Sequence, residues 1–237
     1  MKPAYLAFNR TRKGAHTMQT VSIDIVSDVV CPWCYLGKAR LDQAIANLPD
    51  VLVTVNWRPY QLNPDLPPEG IDHKRHLAEK LGGQAAVDRA HDTLRELGNA
   101  DGIAFDFDAV KISPNTLDAH RLVRWAATNG EQAQSAVVGL LFKANFEEGR
   151  NVGDHAVLLD IAEQAGLDRP VVAALLGSDA DKDAVKEEVG MAREMGVTGV
   201  PCFILEGQYA VMGAQSVDVL TNALREIAEI KASGKPN

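Results

Sequence analysis

The stretch Ser27-Asp28-Val29-Val30-Cys31-Pro32-Trp33-Cys34-Tyr35-Leu36-Gly37-Lys38 sits where one kind of periodicity gives way to another. Upstream, Val21, Ile23 and Ile25 alternate with Ser22 and Asp24, the period of a half-buried strand. Downstream, Leu36, Ala39, Gln43, Ala44 and Leu48 fall near one stripe of a helix, which Pro49-Asp50 ends. Pro32 suits the first helical turn, where no backbone N–H is required. Val51, Val53, Val55 and Trp57 then alternate again. Strand, helix, strand is a βαβ unit, and its crossover is expected to be right-handed.

A connection rich in proline (Pro59, Pro64, Pro67, Pro68) leads into a long helical block, from about Ile71 to Met195. Its expected helices are His73–Leu81, Ala85–Leu97, Asn115–Asn129, Glu131–Glu148, Asp154–Ala165, Pro170–Leu176 and Asp181–Met195, with Ile103 to Asp108 extended between them. Asp154 reads as an N-cap, and Gly149, Gly166 and Gly177 as C-cap glycines. Strand patterns return at Cys202–Leu205 and Tyr209–Met212 around a Glu206-Gly207 turn, and Ser216 opens a last amphipathic helix. The order βαβ, helical block, ββα predicts an α/β protein with a mixed four-stranded sheet and a large inserted all-helical domain. The expected division is a disordered N-terminal extension over 1–20, a sheet domain from 21–61 and 197–232, and a helical insertion over 62–196. Met18 is a candidate start, since regular patterning begins only near Val21.

Composition narrows the function. The 237 residues carry 32 acidic and 24 basic side chains, a formal charge of -8, which argues against nucleic acid and against an anionic membrane surface as partners. No apolar run approaches membrane-spanning length, and the basic N-terminus lacks the apolar core of a secretory signal, so a cytoplasmic protein is expected. Three cysteines, Cys31, Cys34 and Cys202, are too few to staple a secreted fold, and a single close pair does not make a structural zinc site. His73 and His76 share a helix face without a third ligand, so no metal is expected there either. The oligomeric state is not written in the sequence.

Cys31-Pro32-Trp33-Cys34 beside a βαβ pattern reads as a redox motif. The thiolate is the nucleophile in disulfide exchange, and a cysteine at a helix N-terminus has unpaired N–H groups and the helix dipole to favour it. Cys31 is the expected attacking sulfur. Cys34, one helical turn on, is placed to resolve the mixed disulfide. Trp33 offers an apolar surface for substrate. Proline at the start of the strand following Gly199-Val200 is, on its own, compatible with an ordinary trans bond.

The same stretch, from Ser27 to Lys38, resembles the active-site segment of the DsbA superfamily, and more narrowly its FrnE-like branch, which is related to 2-hydroxychromene-2-carboxylate isomerases. Gln61-Leu62-Asn63-Pro64, Ser113 to Leu122, Leu141 to Phe146, Asp160 to Leu167 and Gly196 to Pro201 are similar to further segments of that branch. The resemblance thus runs from about Val21 to Ala232. It implies a thioredoxin-like fold with an inserted helical domain. It also implies a cis Pro201 facing Cys31, with the Val200 backbone available to pair with an extended substrate. Trp33 stands where DsbA-type oxidases carry histidine, which implies a less oxidising couple. The related isomerases typically have serine at the first cysteine position, so cysteines at both positions favour disulfide exchange. Disulfide-containing proteins or small molecules are the expected substrates, with glutathione as a possible co-substrate and no bound cofactor. Two other readings stay open: a glutathione-dependent isomerase, and a non-catalytic holdase or binding module.

Several residues have a plainer role beside a functional one. Asp24 and Asp28 are candidates for relaying a proton to Cys34, or else a strand residue and a loop residue. Asn115, His120 and Arg121 are candidates for lining a cleft between the helical block and the sheet domain, Asn115 alternatively serving as a cap. Cys202 is expected to be a small buried core residue, turned away from the face that Pro201 presents.

Overall fold

The computed structural model describes residues 18–233. The strand β1 (Gln19–Ser27), the helix α1 (Pro32–Ala46) and the strand β2 (Val51–Pro59) form the βαβ unit, with β1 and β2 parallel from Gln19 opposite Val51 to Ser27 opposite Pro59. The insertion follows as β3 (Ile71–Asp72), α2 (His73–Leu81), α3 (Gln84–Ala100), β4 (Ile112–Ser113), α4 (Leu117–Ala127), α5 (Glu131–Phe146), α6 (His155–Gln164), α7 (Arg169–Leu176) and α8 (Lys182–Glu194). The chain then returns to the sheet as β5 (Cys202–Leu205) and β6 (Tyr209–Met212), and closes on α9 (Val217–Ser233). Among the described residues the main sheet has four strands in the order β2-β1-β5-β6, with β5 antiparallel to both its neighbours.

The strand period of two divides this sheet into two faces. Ile23 and Ile25 lie opposite Leu205 and Phe203, and all four are buried in one core with Leu36 and Leu41 of α1 and Leu220 and Leu224 of α9. Burial of each such side chain contributes about 1.5–3 kcal/mol. Val26 and its partner Cys202 point to the other face, where Tyr60, Ala192 and Val197 cover them. The insertion is welded to α1 by aromatic packing. The Tyr35 ring stacks on Phe142 at 5.1 Å and meets Phe105 edge-on at 5.8 Å, so α1 and the inserted helices share a continuous core.

The boundary of the N-terminal extension is corrected. Gln19 and Thr20 pair with Val51 and Leu52 in β1, so the end of the extension expected over 1–20 is strand; the rest of it, 1–17, lies outside the described residues. Ile103 to Asp106 joins no sheet and Phe107 and Asp108 form a turn, the backbone bonding instead from Ile103 N–H to the Gly98 carbonyl and from Asp106 N–H to that of Phe146. The expected alternation holds, with Ile103, Phe105 and Phe107 all turned inward. The short β3–β4 ladder carries no periodicity long enough to be read in advance. Gly149 and Gly166 adopt positive φ (63° and 79°), and Gly177 caps α7 as expected, there at φ -72°. No helix among the described residues is long and apolar enough to cross a membrane.

Candidate active site

The turn after β1 delivers Cys31 to the N-cap of α1. Its N–H donates to the Asp28 carbonyl at 3.0 Å, and its own carbonyl accepts from Cys34 and Tyr35 N–H as the helix begins. Pro32 occupies the first turn. The Cys31 side chain makes no capping bond; its Sγ instead donates to the Val200 carbonyl at 3.6 Å. The peptide between Val200 and Pro201 is cis. Both motif cysteines are free thiols and buried, Cys31 at 4% exposure and Cys34 at 1%.

Their surroundings differ. Burial pushes the Cys34 thiol well up, and the adjacent Cys31 sulfur pushes it further through a hydrogen bond and charge repulsion. Ser27 Oγ and the Asp28 backbone act the other way, favouring the Cys34 thiolate. Two negative sulfurs this close repel, so the pair holds one charge more readily than two.

Gly37 makes the approach of helix and proline possible. A Cβ there would lie 3.0 Å from Pro201 Cγ and 3.1 Å from Phe203 Cζ. The motif alone does not disclose this role, although a glycine inside a helical pattern is a sign of close packing.

In front of Cys31 lies a cleft of about 360 Å³. Val30, Pro32, Trp33 and Val200 form one wall. The opposite wall comes from α2, α3 and the β4 segment, with Leu77, Leu94, Val110 and Ile112 beside His73, His76 and His91. Trp33 is 39% exposed at its mouth. Burial lowers all three histidines; His73, which also feels His91 and His76, is pushed down to about 4. The three histidines are therefore uncharged at neutral pH, and Lys80 of α2 brings a positive charge to the same wall. His73 Nδ1 shares a 2.9 Å hydrogen bond with Ser113 Oγ. Considered in the sequence only as a metal pair, His73 and His76 are cleft residues, and His91 joins them across the α2–α3 hairpin. Among the described residues no group of three His, Cys, Asp or Glu is disposed to hold a metal ion.

The remaining candidates separate. Asp28 is fully buried behind the motif, its Oδ2 accepting from Leu62 N–H at 2.8 Å and its Oδ1 facing His120 Nε2 at 3.3 Å. Asp24 is not with it. Strand alternation puts Asp24 on the face of Val26 and Cys202, away from α1, where it accepts from Arg58 Nε at 2.8 Å near solvent. Asn115 does not line the cleft in front of Cys31, and His120 lines instead a smaller cavity between β2 and the helices α4, α5 and α8. Asn115 is consumed locally: its Oδ1 accepts from Leu117 N–H and Gln61 Nε2, and its Nδ2 donates to the Leu66 carbonyl. His120 lies behind the cysteines, against Asp28. Arg121 turns away from the cleft altogether, donating to the carbonyls of Leu175, Ser178 and Ala180 and to Asp118. Cys202 is buried on the far sheet face, its thiol pushed up by burial.

Known proteins share this architecture. The family model for the DSBA-like thioredoxin domain matches residues 22–225. The chain is 29% identical over 210 residues to the uncharacterized protein YwbO of Bacillus subtilis, covering 87% of this chain and 97% of that one. The crystal structure of a probable DsbA oxidoreductase from Streptomyces coelicolor superposes with a TM-score of 0.79 at 32% identity, over 92% of each chain. A 2-hydroxychromene-2-carboxylate isomerase shares the fold at a TM-score of 0.69 and 19% identity, over 91% of this chain and all of that one. With its sheet order, its Cys31 helix N-cap and a family match over most of its length, the chain belongs to the DSBA-like thioredoxin domain family.

Proposed function

We propose that this protein is a dithiol–disulfide oxidoreductase that cycles Cys31 and Cys34 between dithiol and disulfide. One observation carries the reading: Cys31 stands at a helix N-cap facing an open cleft, while Cys34 waits one turn behind it, buried and within reach of its sulfur. Cys31 thiolate attacks a substrate disulfide, forming a mixed disulfide and releasing one thiolate. Cys34 then attacks Cys31 Sγ, closing the intramolecular disulfide and releasing the second thiol. The Val200 carbonyl, 3.6 Å from Cys31 Sγ, is the backbone group against which an extended substrate chain would align. Trp33 supplies apolar contact at the mouth. No bound cofactor is required. We place the reaction in the cytoplasm, with glutathione as the small thiol that exchanges with the pair.

The test is equilibration in glutathione buffers of graded poise, alkylation, and mass analysis of the Cys31 and Cys34 peptides. A reversible two-electron transition joining the two cysteines is expected. A midpoint near about -270 mV would mark a reductant like thioredoxin, and one near about -120 mV an oxidant like DsbA. The absence of that disulfide at every poise would end this reading. The apolar cleft also favours a second one, a glutathione-dependent isomerase acting on a small molecule. It predicts a stable glutathione adduct on Cys31 and turnover that survives Cys34→Ser.

A further inference from the structure

Behind Cys34 the protein contains groups that the exchange reaction, as described so far, does not use. Ser27 is 4% exposed, and its Oγ lies beside the Cys34 sulfur while making no hydrogen bond of ordinary geometry to a described atom. A buried hydroxyl left without such a partner calls for an explanation. On its other side is a cavity of about 10 Å³, lined by Ser27, Val29, Trp57, Val138 and His120. That is close to the smallest space that holds one water. His120 also lines a second cavity of about 80 Å³, between Trp57 and Gln134 and bordered by Arg58, Arg124 and Glu188. The side chains of Arg58 and Arg124 are 52% and 41% exposed, so this outer cavity reaches the surface. His120 Nε2 is engaged by Asp28 Oδ1, and among the described residues its Nδ1 has no hydrogen-bond partner.

We infer that the proton Cys34 loses as it resolves a mixed disulfide leaves through the rear of the molecule, by way of Ser27 Oγ, the small cavity, His120 and the outer cavity. The inference rests on the exchange reading above. In the resolving step the Cys34 sulfur forms a bond to Cys31 Sγ while the bond from Cys31 Sγ to the substrate sulfur breaks. The substrate thiolate departs with that electron pair and is protonated by solvent. Ser27 accepts the Cys34 proton on its oxygen and passes its own hydroxyl proton to water in the small cavity, ending unchanged. His120 takes the proton from that water and releases it to the outer cavity. Ser27 touches a reacting atom and is the catalytic residue here; His120 and Asp28 are positioning residues.

The geometry explains why a rear exit is needed. Substrate fills the cleft in front of Cys31 during this step, so the front is closed to water when the proton must go. The charged groups around the route are consistent with it. Cys34 faces Cys31 and the Asp28 backbone. His120 faces the Asp28 carboxylate from the active-site turn, Arg58 from β2, Arg124 from its own helix and Glu188 from α8. Asp28 Oδ1 holds His120 Nε2 in place, while Arg58 is paired with Asp24 and Arg124 with Asp181 and Glu188 at the outer cavity.

The experiment is stopped-flow exchange with an aromatic disulfide whose released thiol absorbs, followed from about pH 6 to pH 9 in the full-length protein. The two released thiols separate attack by Cys31 from resolution by Cys34. For Ser27→Ala we expect attack unchanged and resolution slower by about tenfold or more at pH 7, recovering as hydroxide rises. Ser27→Thr, which keeps the hydroxyl, should restore the parent profile. His120→Gln should show the same slow, pH-dependent resolution, with its fold checked by circular dichroism. Resolution with the parent pH profile in both Ser27→Ala and His120→Gln would overturn this inference and leave the exchange reading standing. Failure of the unaltered protein to form any mixed disulfide would overturn both.

Discussion

In front of Cys31 and behind Cys34 the protein is built to different standards. The rear is a tightly packed frame: Val21, Leu36 and Ala44 are fully buried, and α1 lies tightly enough on Pro201 to need Gly37. The front wall is thinly anchored. The helix α2, which brings His73, His76 and Leu77 to the cleft, has no fully buried residue. Gly70 precedes it and Gly82 and Gly83 follow it, all at positive φ (75°, 84° and 116°). In the proposed reaction the reacting atoms sit on the part least able to move, and substrate would meet the part with least to lose by changing. Function generally divides this way, with rigid elements holding chemistry and loosely packed ones holding specificity.

The sharpest way to break the comparison is to remove each sulfur. Cys31→Ala should abolish exchange completely. Cys34→Ala should keep the first half-reaction and accumulate a mixed disulfide, seen as a mass adduct on Cys31 after incubation with glutathione disulfide. If instead Cys34 carried the adduct in Cys31→Ala, the assignment of front and rear sulfurs would be reversed.

Next comes packing. Phe203, 1% exposed beneath α1, should cost about 3–5 kcal/mol when replaced by alanine, while Leu77→Ala on α2 should cost about 1 kcal/mol or less. Urea unfolding measures both. The contrast should invert in kinetics, with Leu77→Ala raising KM for small disulfides. Equal stability losses would show that α2 belongs to the frame. Arg121→Met should also be costly, at about 3–5 kcal/mol, since three carbonyls and Asp118 would lose a fully buried partner.

How much of this could be read in advance follows the same division. The βαβ unit, the returning hairpin and α9 were legible because each has one clean period, and the place of the motif cysteines at a helix start because Pro32 closely follows the strand period. The extents of α2 and of the β5–β6 hairpin match the expected ones for the same reason. What escaped depends on partners far apart in sequence. Arg121 looks like a cleft residue until the turn after α7 is seen wrapped around it. Asp24 and Asp28 look equivalent, and only the strand's alternation and the turn at its end separate them. Gly37 is an ordinary helical glycine until Pro201 arrives more than a hundred residues later. His91 gains meaning only when the α2–α3 hairpin folds it against His73.

The smallest predicted effect tests the front wall by acid. His73 is pushed from 6.5 to about 4, burial being the main cause. A histidine held neutral in the fold takes up its proton more readily in the unfolded chain, so its contribution to stability is full above about 6.5 and drains away as pH falls towards about 4. His76 and His91 are lowered too, again chiefly by burial, and add to the same loss. Amide exchange followed across that range should show α2 and α3 opening before β1 and α1, because the histidines that take up charge lie on α2 and α3 and not in the frame. His73→Gln keeps a hydrogen bond to Ser113 available and removes the titrating group. It should flatten the acid side of the profile while leaving stability at neutral pH nearly unchanged. An unaltered acid limb in His73→Gln would place the acid-sensitive groups elsewhere, and synchronous opening of α1 with α2 would mean that front and rear unfold as one unit.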